Sequence, residues 1–141
     1  MNNNKIYFTG YASVFNNKDD KGDIVLPSAF DETNLNPKNI KLLYNHDQNL
    51  VIGNLESIRK DSKGIYIKAS ISPKNPLEHR LATCLISNML SGLSIGYIAK
   101  STTRDSLFNR RYINKLDLKE ISIVQKPSNP QTVILQKITN L

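Results

Sequence analysis

The sequence predicts a mainly β fold, a closed or nearly closed barrel of about seven strands with one main helix over about residues 76–90. Three observations predict it. Runs of β-branched and aromatic residues recur along the chain, separated by Gly, Pro, Asn and Asp. One stretch, ending before Gly92, carries helical periodicity together with capping residues. Strands do not alternate with helices, which argues against a doubly wound α/β sheet. At 141 residues the chain is expected to form one domain around one core.

The elements follow in order. Residues 5–15 read as a long strand, with Gly10 as a bulge or bend. Residues 16–23 are a polar loop. Its acids are interrupted by Lys18 and Lys21 and lack the spacing and terminal Glu of a calcium loop. Ile24-Val25-Leu26 is a short strand, Pro27-Ser28-Ala29-Phe30 a turn or single helical turn, and residues 31–38 a loop. In residues 39–46, Ile40, Leu42, Tyr44 and His46 share one face of a strand, which His46 ends. A polar turn, Asp47-Gln48-Asn49, comes next. Residues 51–60 and 64–72 form a hairpin in which Ile65, Ile67, Ala69 and Ile71 point inward. The helix has Asn75 as N-cap, Pro76 at its first position and Glu78 completing a variant capping box. Leu77, Leu81, Cys84, Leu85 and Met89 form its buried stripe, His79 lies off that stripe, and Gly92 terminates it. Residues 93–100 are a strand, 101–109 a polar loop, and 110–116 and 118–125 two strand-like segments. Lys126-Pro127-Ser128-Asn129-Pro130 is a turn, and 133–135 a last short strand.

Composition narrows the function classes. The chain is 39% hydrophobic and 22% charged, the balance of a soluble globular protein. No run approaches the ~18–20 apolar residues of a membrane helix. Met1-Asn2-Asn3-Asn4 lacks an apolar signal core, so no secretory signal is expected. The lone Cys84 cannot form an internal disulfide, which fits a reducing compartment, and it reads as a small apolar group on the helix. The net charge of +7 admits a nucleic-acid or acidic partner. Apart from Arg104, Arg110 and Arg111 the basic residues are scattered, and no aromatic residues interleave with them as in single-strand binders.

Chemistry concentrates at Gly92-Leu93-Ser94-Ile95-Gly96-Tyr97. Glycine on both sides of a serine suits a sharp turn or a close ligand approach. Gly92-x-Ser94-x-Gly96 formally matches the nucleophile elbow of α/β-hydrolases, but its context rejects that reading. The helix precedes the serine instead of following it, and both histidines lie upstream. A serine nucleophile needs a base within hydrogen-bond reach. Of the two histidines, His79 lies on the wrong helix face, so His46 is the better base; the competing reading is a histidine hydrogen-bonded at a turn. Among the acids after Ser94, Glu120 shares a strand face with Leu118, Ser122 and Val124. A carboxylate on such a face must be paired, which makes Glu120 the best orienter of the base, or else the partner of a Lys or Arg.

Taken together these residues resemble the tailed-phage prohead (head maturation) serine proteases. The resemblance rests on an ordered series: Gly10-Tyr11-Ala12-Ser13-Val14-Phe15; Gly22-Asp23-Ile24-Val25; Pro27-Ser28-Ala29-Phe30; Leu43-Tyr44-Asn45-His46-Asp47 with Ile52-Gly53; Gly92 to Tyr97; Leu118 to Val124; and Pro127-Ser128-Asn129-Pro130. It implies a serine endopeptidase that cleaves capsid or scaffold protein, and commonly itself, inside the assembling prohead in the cytoplasm of a bacterial host. It also implies an assemblin-like fold shared with the herpesvirus proteases, no cofactor or metal, and possible self-association. His46 then becomes the base, Ser94 the nucleophile and Glu120 the third member, where the herpesvirus relatives have a histidine. The loop near residues 126–129 is expected at the same site. No helical charged tail after Leu141 or long leader before Lys5 is seen, so the alternatives are a matured form, a naturally compact version and a remnant. The alternatives are a catalytically inactive capsid-assembly protein of this fold and a basic β-barrel that binds nucleic acid.

Overall fold

A computed structural model describes residues 5–139. The reading of Met1 to Asn4 as free of a secretory signal falls outside them. Strands β1 (Ile6–Val14), β2 (Asp23–Val25), β3 (Lys41–Tyr44), β4 (Asp47–Lys60) and β5 (Gly64–Ile71) precede the helix α1 (Pro76–Ile86). Strands β6 (Gly92–Asp105), β7 (Arg110–Val124) and β8 (Ile134–Thr139) follow it. Two 3-10 turns, Pro27–Phe30 and Pro37–Asn39, each start on proline, whose fixed φ suits a first helical position. Among the described residues no helix is long and apolar enough to cross a membrane.

The eight strands form one mixed sheet that is not closed, so the expected barrel is corrected. The hydrogen-bonded path runs β2-β7-β3-β4-β5-β1-β8, and β6 joins it through β7. Strand β7 is long enough to pair with β2 at residues 111–113 and with β3 at residues 120–123, both in parallel. It pairs with β6 in antiparallel along its whole length. Closure would need a ladder between β6 and β8. Among the described residues the two regions meet at one isolated bridge, Gly92 with Val133. The segment that would extend the ladder carries Pro127 and Pro130, which have no N–H to donate, and from Ile134 the chain pairs with β1 instead. Gly10 permits that pairing: a Cβ there would lie 2.5 Å from the Val133 carbonyl oxygen. The register of β1 against β8 shifts at this point.

The core lies against the inward face of β5, where Ile65, Ile67, Ala69 and Ile71 are inaccessible to solvent. Leu81 and Leu85 of α1 join it. The helix starts as expected: Asn75 Oδ1 accepts from the Glu78 amide at 2.9 Å, and the Glu78 carboxylate accepts from the Lys74 amide at 3.1 Å. It ends earlier than expected. Asn88 takes the left-handed conformation (φ 65°) assigned to Gly92, and the Asn88 and Met89 amides bond to the Leu85 and Cys84 carbonyls in a Schellman pattern. Met89 therefore lies beyond the helix and is exposed, not part of the buried stripe. Residues 101–105, expected as loop, extend β6, and 110–124 form one strand where two segments were expected.

Replacing Asn75 by Ala removes the cap and should lower the unfolding free energy by about 1 kcal/mol in a urea titration. An unchanged midpoint would mean that the cap contributes nothing.

Candidate active site

Strand β7 brings the site together. Ser94 on β6 lies opposite Ser122 on β7, and Gly96 opposite Glu120. Strand β3 reaches Ile123 of β7 through Tyr44, so the turn that follows β3 sits over the same end of the sheet. That turn is Asn45-His46, between the paired residues Tyr44 and Asp47. Both central residues have positive φ, 49° and 60°, as in a type I′ hairpin turn. His46 is thus not the end of a strand, and the expected turn at residues 47–49 belongs to β4. A left-handed conformation costs a non-glycine residue roughly 1–2 kcal/mol. The turn is held by the Asn45 amide donating to the Ile123 carbonyl at 2.9 Å and the Gln125 amide donating to Asn45 Oδ1 at 3.2 Å.

The three residues singled out from sequence meet here. His46 Nε2 lies 3.1 Å from Ser94 Oγ. His46 Nδ1 lies 2.9 and 3.0 Å from the two carboxylate oxygens of Glu120. An ionised carboxylate only accepts, so the neutral imidazole carries its proton on Nδ1 and leaves Nε2 to accept the Ser94 hydroxyl. Glu120 is 4% exposed, whereas the His46 side chain is 43% exposed. The carboxylate is therefore fixed from below and the imidazole opens to solvent. Of the other acids after Ser94, Asp117 pairs with Lys119 at 2.8 Å, and Asp105 ends β6 opposite Arg110. His79 is exposed on α1.

The flanking glycines have a different purpose from the one the motif suggests. Both lie within β6, not at a sharp turn. A Cβ on Gly96 would stand 2.5 Å from Glu120 Cδ and 2.6 Å from its Oε1. A Cβ on Gly92 would meet the Pro127 ring and the Val124 carbonyl, each at 2.8 Å. The glycines make room for the buried carboxylate and for the loop after β7.

A cavity of about 530 Å³ opens beside Ser94 and His46. Ser128 and Asn129 line it, which puts the loop near residues 126–129 at the site. The loop 16–22 lies across from it and is tied to it by the Asp20 amide donating to the Ser128 carbonyl at 3.0 Å. Asp19, one of the acids of that loop, accepts the Lys21 and Asp23 amides at 2.9 Å and so shapes its own backbone. Sequence reasoning missed the cavity's ionic cluster. Asp23 accepts both Arg111 Nε and Nη2, at 2.9 and 3.0 Å, and the Tyr97 hydroxyl at 3.4 Å. Burial, followed by the charge of Asp23, pushes the Tyr97 phenol up to about 12. The bond to Asp23 also raises Arg111 above its ordinary value. The signal available in sequence was Asp23 and Arg111 at the ends of two strands, but nothing there marks β2 and β7 as neighbours.

The chain resembles known proteins in sequence and in fold. A family model described as caudovirus prohead serine protease matches residues 1–141. The prohead protease of Enterobacteria phage HK97 is 34% identical over 130 residues, covering 90% of this chain and 58% of that relative. The chain thus spans little more than half of that relative's length. Among solved structures, the bacteriophage T4 capsid assembly protease aligns with a TM-score of 0.65 at 14% identity, covering 86% of this chain and 82% of the other. The protease of Kaposi's sarcoma herpesvirus, solved with a hexapeptide phosphonate inhibitor, aligns with a TM-score of 0.64 at 15% identity, covering 97% and 65%. At these identities the solved structures show a shared fold.

Two outcomes test this geometry. Gly96→Ala should destabilise by roughly 1–3 kcal/mol, the cost of overpacking. In a double-mutant cycle with Glu120→Ala the losses should fall short of additive, because the smaller residue vacates the space; strict additivity would mean the new methyl never meets Glu120. The second concerns pH. Tyr97 is held protonated in the folded state up to about 12, against 10 for the free group, so unfolding releases a proton between those values. The stability contributed by Tyr97 is thus fully present below pH 10 and is lost as pH rises toward 12. Melting curves across that window should fall less steeply for Tyr97→Phe than for wild type.

Proposed function

The chain belongs to the caudovirus prohead serine protease family, and on that premise we propose that it is a serine endopeptidase acting on capsid or scaffold protein during prohead maturation. One observation carries the reading: Ser94 Oγ, the His46 imidazole and the Glu120 carboxylate form an unbroken hydrogen-bonded chain at the mouth of a cavity. In this reading His46 Nε2 takes the hydroxyl proton while Ser94 Oγ attacks the scissile carbonyl. Glu120 keeps the proton on Nδ1 and stabilises the imidazolium that forms. His46 returns the proton to the leaving amine, and a water activated by the same nitrogen then hydrolyses the acyl–Ser94 ester. Backbone N–H groups of the loop around Ser128 and Asn129, which lines the same cavity, are the candidates to hold the oxyanion.

The substrate is an extended segment of the capsid or scaffold protein, self-cleavage is included, and the setting is the prohead assembling in the bacterial cytoplasm. The catalytic roles of Ser94, His46 and Glu120 are supported by the geometry and by the order of the matching residues along the chain.

Co-expression with the capsid and scaffold proteins of the same phage provides the test. Wild type should yield shortened products, and Ser94→Ala should leave the full-length proteins intact. Glu120→Gln should reduce processing by up to about 10⁴-fold, since an amide no longer fixes the tautomer. Equal processing by wild type and Ser94→Ala would overturn the proposal.

A further inference from the structure

We propose that Ser122 is a positioning residue of this site: its hydroxyl joins the backbone of His46 to the carboxylate that holds the His46 ring. The inference rests on the serine-protease reading for its consequence, but its geometry stands separately. Ser122 is inaccessible to solvent. Its Oγ lies 3.0 Å from the His46 amide nitrogen, and 3.1 and 3.3 Å from Glu120 Oε2 and Oε1.

Elementary chemistry fixes the direction of each bond. The His46 amide can only donate and the carboxylate can only accept, while a serine hydroxyl has one proton and two lone pairs. Ser122 must therefore accept from the amide and donate to Glu120. Glu120 in turn accepts from His46 Nδ1. The bonds close a ring that leaves from the backbone of His46 and returns to its side chain. No member can reverse its role without leaving a donor facing a donor or a carboxylate facing a lone pair.

The ring matters because packing does not hold the imidazole. With 43% of its side chain exposed, His46 lacks the surroundings that fix a core side chain in one rotamer. It also sits on a two-residue turn with both φ values positive. The bonds of Asn45 to Ile123 and Gln125 anchor this turn to β7 without Ser122. They do not set the ring's angle relative to Ser94. Ser122, directly across from Ser94 in the β6–β7 register, ties the height of the turn to the row that carries the nucleophile. Removing the hydroxyl should thus leave the fold in place and release the ring.

The test compares wild type, Ser122→Ala and Ser122→Cys; cysteine keeps the shape of the site and weakens both hydrogen bonds. One readout is the rate at which a fluorophosphonate probe labels Ser94. The other is the ¹⁵N spectrum of labelled histidine, which carries two imidazoles because the chain has two histidines. Both variants should melt as folded proteins, label roughly 10- to 100-fold more slowly, and show His46 shifted from the Nδ1–H tautomer to a mixture. Should the alanine variant not fold, Ser122→Cys carries the same expectation. Wild-type labelling in the variants would overturn the assignment. So would slower labelling with an unchanged His46 spectrum, which marks a packing effect alone. If folded wild type is not labelled at all, the protease reading falls, and the tautomer comparison still decides the role of Ser122.

Discussion

The site is built around one constraint: the Glu120 carboxylate is buried inside a sheet and must be compensated there. An isolated charge in such a place would cost several kcal/mol. Three features answer it. Gly96, its partner on β6, has no side chain and leaves space for the carboxylate. Ser122, two residues on and on the same face, supplies a hydroxyl proton. His46 supplies the Nδ1 proton from above. Gly96 and Ser122 are thus small or polar where the surrounding core is apolar. The cost to the core is offset by a ring nitrogen held toward Ser94.

Meeting that constraint takes a long β7. Its C-terminal half must pair with β6, which brings Ser94, and with β3, which brings the His46 turn. Its N-terminal half pairs with β2 and carries the Arg111–Asp23 pair to the far side of the same cavity. After β7 the chain turns through Pro127 and Pro130, and its carbonyl at Ser128 is held by the loop 16–22. A closed ladder between β6 and β8 would cover the edge of β6 beside Ser94. Among the described residues the bridge at Gly92 stops just before that serine, and no ladder with β8 runs past it.

Much of this was legible because burial follows simple periods. The alternation in residues 65–71 marked the inward face of β5, and Asn75, Pro76 and Glu78 marked the start of the helix. Ser94, His46 and Glu120 emerged from residue chemistry and order along the chain. The failures have physical causes too. Residues 101–105 are polar on both faces, since both are exposed there, so no alternation announces that β6 continues by pairing with β7. Helix termination was assigned to Gly92, but Asn88 also tolerates a left-handed backbone and lies closer to the last periodic residue. The tight turn at Asn45-His46 lacks the glycine that usually signals one. Sheet closure depends on which edges meet, and local patterns do not encode that.

The same distinction changes what Gly92-x-Ser94-x-Gly96 means. In a nucleophile elbow, glycines permit a strained turn that lifts the serine out of the sheet. Here the serine remains in the sheet, and the glycines act sideways, toward neighbours on β7 and on the loop after it. The strain is found instead at His46, whose φ is 60°. The His46 turn reaches Ser94 across β7, because β3 and β6 border that strand on its two sides. The glycines of the motif make room within that three-strand arrangement, and its three letters alone could not distinguish it from an elbow.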